Sequence, residues 1–195
     1  MIGVKRNPFV VIEGPDRVGK TTLTAGLSTS LNYRSLYSIP EKLASTRELI
    51  DGNDNEYESY FYYLMCNSVI SRQISRLVDK TGIVLDRYIF STNFYHKKLG
   101  CQFTLNENIL FKNNVLQEPD LVIFLKADEE ILKARVEDWN NKFDKMSTSN
   151  NFIEEYENSI INSGANYSII DTSNLTIQDV LNQSEKLIKE LAIIE

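Results

Sequence analysis

The sequence predicts a doubly wound α/β fold, a five-stranded parallel sheet flanked by helices. Three observations predict it: short unbroken apolar runs, helical patterning between them, and connections long enough to be crossovers. The runs are Phe9–Ile12, a weaker Ser35–Tyr37, Ile83–Leu85, Leu121–Leu125 and Tyr167–Ile170. Consecutive apolar residues over this length suit strands covered on both faces. The first, third and fourth runs are the strongest, and the fifth is flanked by Gly164. Helices are expected at Lys20–Leu31, Leu43–Asp51, Glu56–Lys80, Thr92–Leu99, Asn106–Leu116, Glu129–Asn140, Asn151–Asn162 and Ile177–Leu191. Strand–helix alternation with such connections builds a parallel sheet. Ser91 and Asp128 stand where helix caps are expected, and Gly82 and Gly164 mark helix-to-strand turns. The polar stretch at about 139–151 has no periodicity and is expected to be a loop or lid between two helices.

The 195 residues fit one domain spanning 1–195. A 42% hydrophobic composition is ordinary globular usage, which argues against disorder and fibrous folds. No apolar run approaches the roughly 18 residues of a membrane span, so no membrane partner is expected. Phe9–Ile12 is too short for a signal-peptide core. Cys66 and Cys101 make neither a metal cluster nor a useful disulfide framework, which points to the reducing cytoplasm. With 21 Lys+Arg against 27 Asp+Glu the charge is −6, so long basic faces for nucleic acid are not expected.

The strongest chemical signal is Gly14-Pro15-Asp16-Arg17-Val18-Gly19-Lys20-Thr21, followed by Thr22. It matches G-x-x-x-x-G-K-[ST] between a strand and a helix, the setting in which that spacing cradles phosphate. Gly14 and Gly19 permit backbone conformations and close approaches that a Cβ obstructs. The amides from Asp16 to Thr21 are expected to form an anion nest at a helix N-terminus. Lys20 supplies charge to β- and γ-phosphates, and the Thr21 hydroxyl is a hard ligand for Mg²⁺. The plain alternative, a turn with a solvated lysine, does not account for the strand–loop–helix context.

Asp86 and Arg87 follow the third run, Ile83–Leu85. In an open parallel sheet the carboxyl ends of strands gather the ligand, so both are expected beside the phosphate loop. Asp86 suits Mg²⁺, directly or through water, and Arg87 suits a phosphate clamp. A surface ion pair capping a strand is the rival reading.

These residues together resemble the thymidylate kinase family, a P-loop kinase type within the nucleoside monophosphate kinases. Glu13-Gly14-Pro15-Asp16-Arg17-Val18-Gly19-Lys20-Thr21-Thr22 resembles the family's E-G-x-D-x-x-G-K-T-T. Asp86 to His96 echoes D-R-Y-x-x-S-x-x-A-Y-Q, and Pro119 to Leu125 looks like its P-D-L strand. The resemblance implies ATP- and Mg²⁺-dependent phosphorylation of a deoxynucleoside 5′-monophosphate, dTMP or a related pyrimidine nucleotide, by a homodimer. It implies that Asp16 binds the sugar 3′-hydroxyl, Arg87 the acceptor phosphate, and that Tyr95 excludes a 2′-hydroxyl. Arg17 matches a loop arginine that neutralises the transferring phosphoryl.

Departures fall on the acceptor side. The family's F-P-x-R appears as Ile39-Pro40-Glu41-Lys42, where lysine keeps the charge but loses the forked geometry. Its F-x-x-N-R aligns with Leu64-Met65-Cys66-Asn67-Ser68, so leucine replaces an aromatic and serine an arginine. Arg72, one turn on, is a candidate substitute. Pro40, Lys42, Leu64, Asn67, Arg72, Ser91 and Tyr95 are therefore the expected acceptor residues beside Asp16 and Arg87. Phe94 and His96 stand where Ala and Gln are expected. His96 reads as a pocket-wall residue, because transfer to a phosphate needs no base. Arg135, Lys142 and Lys145 are candidate lid cations, and Trp139 stands at the lid edge. Asp171, Thr172 and Ser173 follow the last strand, where the family packs adenine. On the long helix, Tyr57, Phe61 and Leu64 read as one buried stripe, with Tyr60 and Tyr63 on a neighbouring face; a dimer contact is the alternative. Two rivals remain: a deoxynucleoside kinase, in which Glu41 would be the base, and a non-catalytic nucleotide-binding protein.

Overall fold

All five residues of the first strand, Phe9–Glu13, are buried, and its side chains alternate between two cores. Phe9 and Val11 enter one core with helix residues Ile70, Ile74, Phe94 and Tyr156. Val10 and Ile12 enter the other with Leu23, Leu27, Val180 and Ile188. The computed structural model describes residues 7–52, 55–135 and 147–191. Its strands are β1 Phe9–Glu13, β2 Arg34–Tyr37, β3 Ile83–Asp86, β4 Leu121–Lys126 and β5 Tyr167–Asp171. Its helices are α1 Lys20–Ser30, α2 Glu41–Asp51, α3 Glu56–Leu77, α4 Ile89–Lys98, α5 Glu107–Lys112, α6 Glu129–Ala134, α7 Asn150–Ile161 and α8 Ile177–Leu191.

The strands form one parallel sheet in the order β2-β3-β1-β4-β5. The chain leaves β1 for the β2 edge, returns to β3, and then crosses β1 to reach β4. This order sets the carboxyl ends of β1 and β3 side by side, with Ile12 paired to Asp86. The loop after β1 and the Asp86-Arg87 pair therefore open on one edge of the sheet, as the sequence predicts.

Two boundaries differ instructively. The helix expected at Thr92–Leu99 begins at Ile89, so Ser91 lies within it and is not its cap; its Oγ donates to Tyr88 O at 2.8 Å. The first amides of α4 are held from β1: Glu13 Oε1 accepts from Tyr88 N at 2.8 Å and Ser91 N at 3.3 Å. A carboxylate from a distant strand replaces the local cap. Asp128 precedes α6 without a side-chain cap bond. Of the segment 139–151, positions 139–146 lie outside the described residues, among them Trp139, Lys142 and Lys145. In the rest of that segment Ser147 and Thr148 are buried, and Ser149 Oγ accepts from Phe152 N to cap α7.

The expected buried stripe of α3 is also corrected. Tyr57 and Phe61 are 41% and 54% exposed, and only Leu64 of that set packs against the core, half-buried. Tyr60, Asn67, Ile70 and Ile74 make the buried face. The aromatic run leaves both helix faces apolar, so periodicity could not choose between them.

Gly14 is where the loop meets the sheet most closely. Its φ is +139°, and a Cβ there would stand 2.2 Å from Leu125 O. Gly19 needs its freedom for φ +106° alone, because open space surrounds it. Gly14→Ala is expected to destabilise the fold by at least about 2 kcal/mol, from backbone strain plus the clash with a central strand. Urea denaturation checks this, and Gly19→Ala should cost less.

Candidate active site

The loop after β1 delivers its functional groups through one turn. Gly19 is the N-cap of α1 in a left-handed conformation, and Lys20 and Thr21 open the helix. Lys20 is buried, and its Nζ donates to Pro15 O at 2.6 Å, so the ammonium lies along the loop. Burial pushes the Lys20 amine down to about 8, with Arg87 adding to the shift and Asp16, Asp86 and Glu13 opposing it. Thr21 Oγ1 donates to Asp86 Oδ2 at 2.7 Å, which joins the loop to the end of β3. Val18 is buried in the core, and neither it nor Gly14 lines the cleft beside the loop.

A second cluster sits beside the first. Arg87 Nη2 is ion-paired with Asp16 Oδ1 and donates to Tyr95 OH at 3.4 Å, while Tyr95 OH donates to Asp16 Oδ2 at 3.4 Å. The guanidinium lies 5.0 Å from the Tyr95 ring centroid. Burial tends to raise the Asp16 carboxyl, but Arg87 and Lys20 outweigh it and hold it below the ordinary range. Arg87 has φ +67°, a left-handed conformation that turns its side chain towards the loop. Its own amide donates to Ile12 O at 3.0 Å.

Both clusters face one cleft of about 770 Å³. Asp16, Arg17, Gly19, Lys20, Thr21 and Thr22 line one end, with Asp86 and Arg87 beside them. Ser91, Tyr95, Thr92, His96 and Leu99 of α4 and the turn after it continue the wall. Tyr37 at the end of β2 with Ser38 and Ile39 after it, Arg47 and Asp51 of α2, and Ser59 and Tyr63 of α3 close the far side.

Several acceptor residues expected from the sequence lie elsewhere. Pro40, Lys42, Leu64, Asn67 and Arg72 do not line the cleft. Lys42 and Arg72 are exposed, and Leu64 packs against the core. Asn67 is buried and donates to Thr92 Oγ1 at 2.9 Å, tying α3 to α4. The cleft takes its α2 cation from Arg47, whose Nε donates to Asp51 Oδ2 at 3.0 Å; Tyr63 OH donates to Asp51 Oδ1 at 3.0 Å. None of Arg47, Asp51, Ser59 and Tyr63 is a site residue by sequence, where Tyr63 stands only as an aromatic on one face of the long helix. The i,i+4 spacing of Arg47 and Asp51 was the available signal.

His96 lines the cleft with both nitrogens engaged. Nδ1 donates to Thr92 O at 2.7 Å, which leaves Nε2 to accept from Ser59 Oγ at 3.0 Å. Burial lowers its basicity, so the ring is neutral in this wall position. Arg135 is exposed, with Nη1 3.4 Å from Arg17 O, which brings it to the loop. Asp171, the last residue of β5, accepts from Ser173 Oγ in the turn that follows; Thr172 is buried beside them with an unpartnered hydroxyl among the described residues.

The family model described as thymidylate kinase matches residues 12–183. The chain belongs to the thymidylate kinase family. A probable thymidylate kinase of Methanococcus maripaludis (strain C6) is 28% identical over 190 residues, spanning 91% of this chain and 92% of its own. YorR of Bacillus subtilis, described as SPbeta prophage-derived and uncharacterized, is 23% identical over 173 residues, spanning 88% and 93%. Among solved structures, thymidylate kinase from Candida albicans is similar with a TM-score of 0.69 at 24% identity, over 95% of this chain and 92% of its own. Deoxyadenosine kinase from M. mycoides gives 0.65 at 20%, over 94% and 100%. These structural likenesses establish the P-loop kinase fold. Membership of the family makes the protein a nucleotide-binding phosphotransferase of the nucleoside monophosphate kinase type.

The position of Lys20 carries a measurable signature. Its folded value lies below the ordinary 10.5, so between about pH 8 and 10.5 the unfolded chain binds more protons than the folded one. The stability contributed by Lys20 therefore grows as pH rises through that window. Relative to Lys20→Met, urea unfolding should show a gain on the order of 2 kcal/mol between about pH 8 and pH 10. Parallel pH curves for the two proteins would contradict it.

Proposed function

We propose that this thymidylate kinase family member transfers the γ-phosphoryl group of ATP to the 5′-phosphate of a deoxynucleoside monophosphate, dTMP or a related pyrimidine nucleotide. The observation that carries the reading is the meeting of two clusters in one cleft: Lys20 with Thr21 and Asp86, and Asp16 with Arg87 and Tyr95. The first suits a triphosphate tail and the second a sugar phosphate. Facing each other, they allow in-line transfer between two bound nucleotides.

The donor set suits magnesium. Thr21 and Asp86 offer hard oxygens that already meet at 2.7 Å, and such ions use few protein ligands with phosphate and water completing the shell. Held by these two residues, Mg²⁺ would neutralise charge on the phosphate oxygens. Lys20 and the amides from Asp16 to Thr21 bind and orient the triphosphate. Arg17, in the left-handed region at φ +66°, holds the phosphoryl from the loop side, and Arg87 holds the acceptor phosphate. Asp16 accepts from the 3′-hydroxyl, and Tyr95 stands against the 2′ carbon. Arg47 takes the acceptor-binding place first expected of Lys42.

The cleft's carboxylates are already engaged, Asp16 by Arg87, Asp51 by Arg47 and Asp86 by Thr21, which supports a phosphate acceptor over a neutral nucleoside hydroxyl. Glu41, the base candidate for that rival, is exposed at the start of α2 and does not line the cleft. An exposed apolar stripe on α3, Tyr57, Phe61 and Met65 spaced by four residues and 41%, 54% and 47% exposed, supports the homodimer reading. No helix among the described residues is long and apolar enough to cross a membrane.

A coupled ATPase panel over dTMP, dUMP, dCMP, 5-substituted dUMP analogues and free deoxynucleosides tests the reading. Turnover is expected with at least one monophosphate and not with the nucleosides; the reverse pattern would make the protein a deoxynucleoside kinase. Lys20→Ala should lower kcat by at least roughly 100-fold. Retention within tenfold would contradict the role given to Lys20.

A further inference from the structure

Glu13 is fully buried at the end of the central strand and takes no direct part in the transfer described above. Burying a carboxylate costs several kcal/mol unless it is well partnered, so its partners indicate what it is for. Oε1 holds the first amides of α4, at Tyr88 and Ser91, and Oε2 accepts from Tyr156 OH at 2.7 Å. Arg87 stands immediately before these amides. Its left-handed backbone is thus pinned on one side by Ile12 O and on the other by the Glu13 carboxylate.

Tyr156 belongs to α7, on the far side of β4 in sequence, and it reaches the acceptor cluster twice. Its hydroxyl acts through Glu13. Its fully buried ring stacks on Phe94, with centroids 4.4 Å apart and planes at 4°, and meets Tyr95 edge-on at 5.8 Å. Phe152, one helical turn earlier, meets Tyr95 at 5.3 Å and 75°. The residue against the sugar therefore rests on two aromatic rings of α7. A core-filling role alone would be served by phenylalanine at position 156, with an apolar residue at position 13.

We propose that Tyr156 and Phe152 are positioning residues of the acceptor site: the Tyr156 hydroxyl locks Glu13 beneath Arg87, and the two rings set the depth of Tyr95. Together they tune how strongly a 2′-deoxy acceptor is preferred over its ribo counterpart. The inference rests on the acceptor assignment above. It adds that selectivity is set from the helix following Ser149, by side chains that never touch substrate.

The test compares wild type, Tyr156→Phe and Phe152→Leu, with Tyr95→Ala as the reference for direct loss of the steric wall. Wild type must first phosphorylate a deoxynucleoside monophosphate; if it does not, the functional reading fails and not this one. In Tyr156→Phe the acceptor KM should rise by about tenfold with the ATP KM within about twofold, matching loss of one hydrogen bond to a charged group. The deoxy-to-ribo ratio of kcat/KM should fall at least about threefold in both variants, and further in Tyr95→Ala. An unchanged acceptor KM and ratio would overturn the proposal. So would equal losses for both substrates, which a purely structural role predicts. Should Tyr156→Phe fail to fold, the ratio measured on Phe152→Leu decides.

Discussion

Charge buried in a protein must be matched by charge or by oriented dipoles, and this molecule concentrates that requirement at the carboxyl ends of β1 and β3. Glu13, Lys20 and Asp86 are buried there, with Asp16 and Arg87 largely so. Each is held by a specific partner: Lys20 by Pro15 O, Asp16 and Arg87 by one another, Asp86 by Thr21, and Glu13 by the amides of α4 and by Tyr156. Truncating any one strands a partner in a low-dielectric setting, a penalty larger than the net worth of the pair. The sheet order exists in this sense for the cluster, because only with β1 beside β3 can the loop lysine and the β3 aspartate share a cleft.

Phosphate chemistry requires such an arrangement. A preorganised set of donors and cations acts on a transferring phosphoryl without rearranging at the moment of reaction. Lys20 illustrates the tension: burial lowers its basicity to about 8, so its charge is held at neutral pH with little to spare. An incoming polyanion restores what burial removes. The left-handed backbones at Arg17 and Arg87 are further expense at the same place, each costing of order 1 kcal/mol or more.

The motifs on the acceptor side are where this chain departs from the thymidylate kinase pattern. Pro40, Lys42, Leu64 and Asn67 do not line the cleft, whereas Arg47, Asp51 and Tyr63 line it as a linked set. Leu64 packs against the core. Aligned motif positions identified which residues had changed, but not which other residues of α2 and α3 face the cleft.

The phosphate loop was readable from spacing alone, since every atom it needs lies within eight residues of chain. The parallel sheet was readable from runs too apolar to have a wet face, and Asp86 and Arg87 from their place at the end of one. These features follow from local backbone chemistry and from the rule that parallel strands are covered on both sides. What the chain order could not disclose was every contact made across the sheet. Glu13 capping a helix more than seventy positions away, Tyr156 closing that bond from beyond β4, and the choice of exposed face on α3 all belong to this class. Each depends on which surfaces meet after packing, and burial energy is settled only when both surfaces are present.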